Sequence, residues 1–241
     1  MSLVAKLALS PLLVAQAALT RARMPTLPEA EGPREGVVGV RLTQPPLRLL
    51  IAGDSSAAGV GVARQEQALA GQLSNDLSQR LQRPVAWRLM ARSGVSTAEC
   101  LAMLEAGEAW PAEVAVVALG VNDVVGQVPS HRAVEHRDAL ANHLRNRFGV
   151  LHVVFMPLPP VHQFPGLPQP LRWIAGADAR RHDNAMAAWA ATRHDVSHVE
   201  IDLALNHEVM AEDGFHPGEP VYRICGVALA EHVAAVVGAG G

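Results

Sequence analysis

Short apolar runs recur along the chain, each followed by turn-forming residues and then by a stretch with apolar positions at helical spacing. The runs are Leu47 to Ala52, Val85 to Ala91, Val114 to Leu119, Val150 to Met156 and Val199 to Leu203. They read as strands. Alternation with helices then predicts an α/β domain with a central parallel sheet of about five strands. The first helix shows Leu69, Leu73, Leu77 and Leu81 at four-residue steps, a stripe that faces the sheet, with Gln72, Asn75, Gln79 and Arg80 outside it. Pro84 stops it. Ser96-Thr97-Ala98-Glu99 fits a capping box, so a second helix begins near Ser96. Further helices are expected over Ser130 to Phe148, Asp178 to His194 and Val221 to Val237.

Right-handed crossovers put such helices on both faces of the sheet and leave the carboxyl ends of the strands open to ligands. The chemically suggestive residues follow those ends. Ser55 comes after the first run, Gly94 after the second, Asn122 after the third, and Asp213 and His216 in the loop after the fifth. Separate segments are thereby expected to converge on one site.

Composition narrows the function classes. Hydrophobic residues make up 49% of the 241 and charged ones 18%, with a net charge of −3 and no basic block, which argues against a nucleic-acid partner. Cys100 and Cys225 match no metal spacing and read as buried thiols. Lys6 precedes an apolar, alanine-rich run, Leu7 to Leu19, interrupted by Ser10, Pro11 and Gln16. We read residues 1–23 as a retained helix docked on the protein or lying on a membrane surface, which implies a cytoplasmic or membrane-associated protein. A signal or anchor role for the same segment would make the protein periplasmic or secreted. Pro25 to Arg41 reads as a linker, so the chain divides into an N-terminal helix and linker, 1–41, and a domain, 42–241.

A serine is a weak nucleophile until a neighbouring base takes its proton, and imidazole titrates in the range where it can do so. Asp213-Gly214-Phe215-His216-Pro217 sets an acid three positions before a histidine on a turn: Asp213 can fix the ring of His216, and His216 can activate Ser55 of Gly53-Asp54-Ser55-Ser56. Acyl transfer also needs donors for the developing oxyanion. Candidates are the N–H of Ser55, the N–H of Gly94 and the side-chain amide of Asn122 in Gly120-Val121-Asn122-Asp123.

With these motifs in this order, the chain resembles the SGNH hydrolases, also called the GDSL esterase/lipase family, over about Leu47 to Val237. The resemblance implies Ser55 as nucleophile, Gly94 and Asn122 as oxyanion donors with Ser55, His216 as base and Asp213 as its orienter. It also implies a flavodoxin-like three-layer α/β/α sandwich. Ser56 stands where the commonest motif has leucine.

Other readings of the same residues are weaker. Asp54 and Asp123 are expected to be structural, the glycines at 53, 59 and 61 fit no phosphate-binding spacing, and His194 and His198 straddle a strand start instead of forming a metal pair. The proline-rich stretch from Pro157 to Gly176 is expected as a loop bordering the site, either with Phe164, Leu171 and Trp173 lining an acyl pocket or as a proline-stiffened cover over the core. The expected function is hydrolysis of a carboxylic ester, with thioesters or lysophospholipids as variants, acting on a small-molecule or lipid substrate without metal or organic cofactor. A carbohydrate O-deacetylase and a non-catalytic binding module are the alternatives.

Overall fold

The computed structural model of the protein describes residues 3–239. Met1 and Ser2 of the expected extension, and Gly240 and Gly241 of the expected domain, lie outside the described residues. Six strands form one mixed sheet: β1 (Glu35–Val38), β2 (Leu47–Gly53), β3 (Val85–Ala91), β4 (Val114–Ala118), β5 (His152–Phe155) and β6 (Val196–His198). Their order across the sheet is β1-β3-β2-β4-β5-β6. Without β1, the five parallel strands run in the 2-1-3-4-5 order of doubly wound flavodoxin-like sheets.

The helices form the outer layers. They are α1 (Leu3–Arg23), α2 (Ser55–Ala58), α3 (Leu69–Leu81), α4 (Thr97–Ala106), α5 (Val121–Val125), α6 (Ser130–Phe148), α7 (Leu171–Ala190) and α8 (Glu219–Ala239). α3 packs with α8, whereas α4 packs with α6 and α6 with α7. Leu69, Leu73 and Leu77 of the predicted stripe are buried, and a fully buried leucine contributes about 2 kcal/mol through area removed from water. Ser96 caps α4 as expected: its hydroxyl accepts from Glu99 N–H, and the Glu99 carboxylate accepts from Ser96 N–H. Both cysteines are buried free thiols.

The differences from the sequence expectation are local. Residues 25–41, read as a linker, supply β1, which pairs antiparallel with β3 along Glu35↔Arg88 to Val38↔Val85. The last strand is Val196–His198, not Val199 to Leu203, because its partner β5 ends at Phe155 and the chain then runs through Pro157, Pro159 and Pro160. Val199 and Leu203 are still buried, so their alternation reports packing of an extended loop and not a ladder. α7 begins at Leu171, seven residues before the expected start at Asp178. Gly176 read as a loop residue, yet it lies inside the helix, where a side chain would come within 2.5 to 2.8 Å of His162.

Candidate active site

The strand registers bring the site together. Gly53 pairs with Ala91 on one side and Ala118 on the other, so β2, β3 and β4 end at one level, where the order of the sheet reverses between β2 and β4. Two residues past Gly53 stands Ser55, three past Ala91 stands Gly94, and four past Ala118 stands Asn122. Gly53 permits the crowding: a Cβ there would sit 1.9 Å from the carbonyl oxygen of Ala118.

Asp54 starts α2 by accepting from Ser56 N–H at 2.9 Å, which turns the chain and leaves Ser55 at the first helical position. Its own N–H donates to Ala118 O at 3.0 Å. Burial pushes the Asp54 carboxyl up to about 6 against the opposing hydrogen bond from Ser56. The Asn122 amide donates to Val95 O at 3.0 Å and to Asp54 Oδ2 at 3.3 Å, joining the loops after all three strands. Among the described residues, neither Ser55 N–H nor Gly94 N–H has an acceptor. Gly94 has φ +81° and is exposed, with no atom within 4 Å of where a Cβ would be.

The acid and histidine arrive on a separate turn. Asp213 Oδ1 accepts from the N–H groups of Phe215 and His216, each at 2.9 Å, and Oδ2 accepts from His216 Nδ1 at 2.6 Å. Burial raises the Asp213 carboxyl, but these bonds, led by that from the imidazole, outweigh it and hold the group below its ordinary value. With Nδ1 carrying the proton given to Asp213, Nε2 is the acceptor, and it lies 3.1 Å from Ser55 Oγ. The turn is pinned from two sides. Gly166 N–H donates to Gly214 O at 2.9 Å, and Gly61, beyond α2, approaches Pro217 so closely that a Cβ would lie 2.2 Å from its carbonyl oxygen.

Ser55, Asn122 and His216 open on a cleft whose apolar wall includes Met156, Phe164, Leu203, Leu205, Met210 and Phe215. Phe215 stands edge-to-face with both Phe164, at 5.1 Å between centroids, and His216, at 5.3 Å. Of the three residues expected to line an acyl pocket, Phe164 is in this wall. Leu171 and Trp173 belong to the first turn of α7, outside the lining, with Trp173 49% exposed. The reason is the early start of α7, which turns both out of the expected loop. Leu203, Leu205 and Met210 are further lining residues beyond those expected; the signal of the two leucines, an apolar alternation after Val199, reads equally as a strand, and Met210 stands outside that pattern. Asp54 and Asp123 sit where structural roles place them, the latter fully buried and accepting from Thr97. Among the described residues no cluster of three or more His, Cys, Asp or Glu has the arrangement of a metal site.

The sequence profile of the GDSL-like Lipase/Acylhydrolase family matches residues 51–224. No curated protein matches the chain by sequence. Among solved structures, the lipase Lip_vut3 from a goat rumen metagenome superimposes with a TM-score of 0.62 at 17% identity, covering 78% of this chain and 97% of that one. The psychrotrophic esterase EstA from Pseudoalteromonas, solved inhibited by monoethylphosphonate, gives 0.54 at 18% identity, covering 80% and 99%. A carbohydrate esterase family 2 enzyme with a carbohydrate-binding domain, from Corynascus thermopiles (Myceliophthora fergusii), gives 0.61 at 15% identity, covering 81% and 68%. At these identities the likeness is one of fold.

Proposed function

The chain belongs to the GDSL-like lipase/acylhydrolase family, and on that footing we propose that it is a serine esterase that hydrolyses carboxylic esters through an acyl-enzyme on Ser55. The observation that carries this reading is the unbroken relay from Asp213 through His216 to Ser55, with links of 2.6 and 3.1 Å. His216 Nε2 takes the hydroxyl proton as Oγ attacks the ester carbonyl, and Asp213 steadies the imidazolium that forms. The imidazolium then gives that proton to the leaving alkoxide. A water, deprotonated by the same nitrogen, attacks the acyl-enzyme and frees the acid and Ser55.

The negative charge on the former carbonyl oxygen falls to the Ser55 and Gly94 N–H groups, which have no acceptor among the described residues, and to the Asn122 amide. Asn122 has one long bond to give up, the 3.3 Å contact with Asp54, while the 3.0 Å bond to Val95 O keeps the amide aimed. One such donor is worth about 10²- to 10³-fold in kcat. The apolar wall of Phe164, Leu203, Leu205 and Met210 supports an acyl group as its occupant over a sugar ring, which needs polar partners. Hydrolysis of p-nitrophenyl esters by the wild type and by Ser55→Ala tests the proposal. The variant is expected to keep its unfolding transition and lose nearly all turnover, and undiminished turnover overturns the mechanism.

A further inference from the structure

α1 is built the wrong way round for a helix on a water-exposed surface. Its protein-facing stripe is Leu9, Leu13, Gln16 and Thr20, all half-buried and spaced at three and four residues. Gln16, the polar residue in the middle of the helix, is spent on the protein: its amide donates to Gln169 O at 2.7 Å and its carbonyl accepts from Leu171 N–H at 3.1 Å. From Pro11 to Leu19, every residue outside that stripe is exposed and apolar, including Leu12 at 47%, Val14 at 69% and Leu19 at 49%. At about 100° per residue these positions cover well over half of the circumference. A surface helix in water carries polar residues there.

We propose that α1 and the neighbouring Trp173 dock the protein on a lipid bilayer bearing anionic headgroups. A single protein partner covers one face of a helix, whereas an apolar arc this wide suits a medium that surrounds it. Charge points the same way. Residues 1–23 hold 3 of the 20 basic residues and none of the 23 acidic ones, leaving 17 basic against 23 acidic elsewhere, with exposed Arg21 and Arg23 at the end of the helix. Trp173, 49% exposed two residues beyond the Gln16 contact at Leu171, adds a ring of the kind that settles at headgroup level. α8 is also long and apolar enough to cross a membrane, but its Val221, Cys225, Leu229 and Val233 stripe is buried in the core, so it is not the docking element.

The docking point is close to the catalytic turn. Gly166 bonds Gly214 beside Asp213, and three residues later Gln169 holds α1, a span of at most about 10 Å. Resting on the esterase reading, this places the cleft at the bilayer surface and assigns its substrates to esters presented there.

The test uses the full chain, wild type and Leu12→Asp/Val14→Asp/Leu19→Asp, in sedimentation with vesicles of phosphatidylcholine with and without phosphatidylglycerol. The wild type is expected to pellet with the mixed vesicles, and the triple variant to bind about tenfold or more weakly with an unchanged unfolding transition. p-Nitrophenyl acetate turnover, equal in the two proteins, reports the ester chemistry separately. A wild type left in the supernatant with both vesicle types overturns docking, as does a triple variant that pellets equally or that differs only by becoming monomeric. Absence of p-nitrophenyl acetate turnover in both overturns the esterase reading and leaves the vesicle result to decide docking by itself.

Discussion

One buried carboxylate joins two loops of the site: Asp123 accepts from Thr97 N–H at 3.2 Å and from Thr97 Oγ–H at 2.5 Å. Thr97 opens α4 directly after the loop of Gly94, and Asp123 follows Asn122, so the bond fixes the spacing between two of the proposed oxyanion donors. Arg137, fully buried, stands 3.8 Å from the same carboxylate, and among the described residues none of its three guanidinium nitrogens has a hydrogen-bond partner. Burial lowers its pKa, and the charge of Asp123 opposes that shift.

Thr97→Val keeps the shape and removes the hydroxyl bond, an expected cost of about 1 to 2 kcal/mol. Asp123→Ala also strands a buried cation, and about 3 to 5 kcal/mol is expected. Esterase kinetics of Thr97→Val should show kcat reduced about tenfold with KM nearly unchanged, since the loss falls on the transition state. A KM effect alone would place the bond in substrate binding.

Asp213→Asn is expected to retain most of the turn, because an amide oxygen can still accept from the N–H groups of Phe215 and His216. It removes the acceptor that holds His216 Nδ1–H and, in the proposed mechanism, the charge that steadies the imidazolium. Turnover should fall on the order of 10³- to 10⁴-fold. Steady-state rates on a soluble ester settle this, and a loss of less than tenfold speaks against Asp213 as orienter.

Much of this was legible in the sequence because it is local. The first four apolar runs, the leucine stripe of α3 and the Ser96 capping box depend on neighbours within a few residues, and they fall close to where the pattern puts them. The serine, glycine and asparagine motifs lie beside strand ends that the parallel registers bring level, whereas the contact between Ser55 and His216 across 161 positions depends on a separate turn far from any strand end. β1 was hidden because a four-residue edge strand of Glu, Gly and two valines earns its place through backbone bonds to β3. The start of α7 was hidden by Pro168, Pro170 and Gly176, which read as breakers although Pro170 sits at the helix cap and Gly176 makes room for His162. The cleft wall comes from distant segments, so no window of sequence displays it.

His152 and His232 both touch Ser197 Oγ, at 3.1 and 2.7 Å through Nε2. Burial lowers the pKa of each, and for His152 the positive charge of His232 adds to it. Folded values below the unfolded value of about 6.5 mean that the unfolded chain binds more protons, so this contribution is present above about pH 6.5 and is lost as pH falls below it. Urea unfolding should show the wild type less stable at about pH 5.5 than at about pH 7.5. His152→Gln/His232→Gln should lose less.

Asp195 behaves in the opposite range. The paired hydrogen bonds from Arg193, each 2.8 Å, together with Arg145 at 2.8 Å, bring its carboxyl down to about 2 against the effect of burial. A depressed acid stabilises above its unfolded value of about 3.9 and loses that contribution as pH falls toward 2. Asp195→Asn is expected to cost about 2 kcal/mol at neutral pH, and roughly half that by about pH 3. A pH-independent difference would assign the cost to packing.

Covalent labelling reads directly whether Ser55 is a nucleophile activated by His216. The wild type, Ser55→Ala and His216→Ala are each treated with a fluorophosphonate, and the adduct is located by mass spectrometry of peptides. One adduct is expected on Ser55 in the wild type, none in Ser55→Ala, and labelling slowed by several orders of magnitude in His216→Ala. An unlabelled wild type, or an adduct on another serine with Ser55 unmodified, would contradict that role for Ser55.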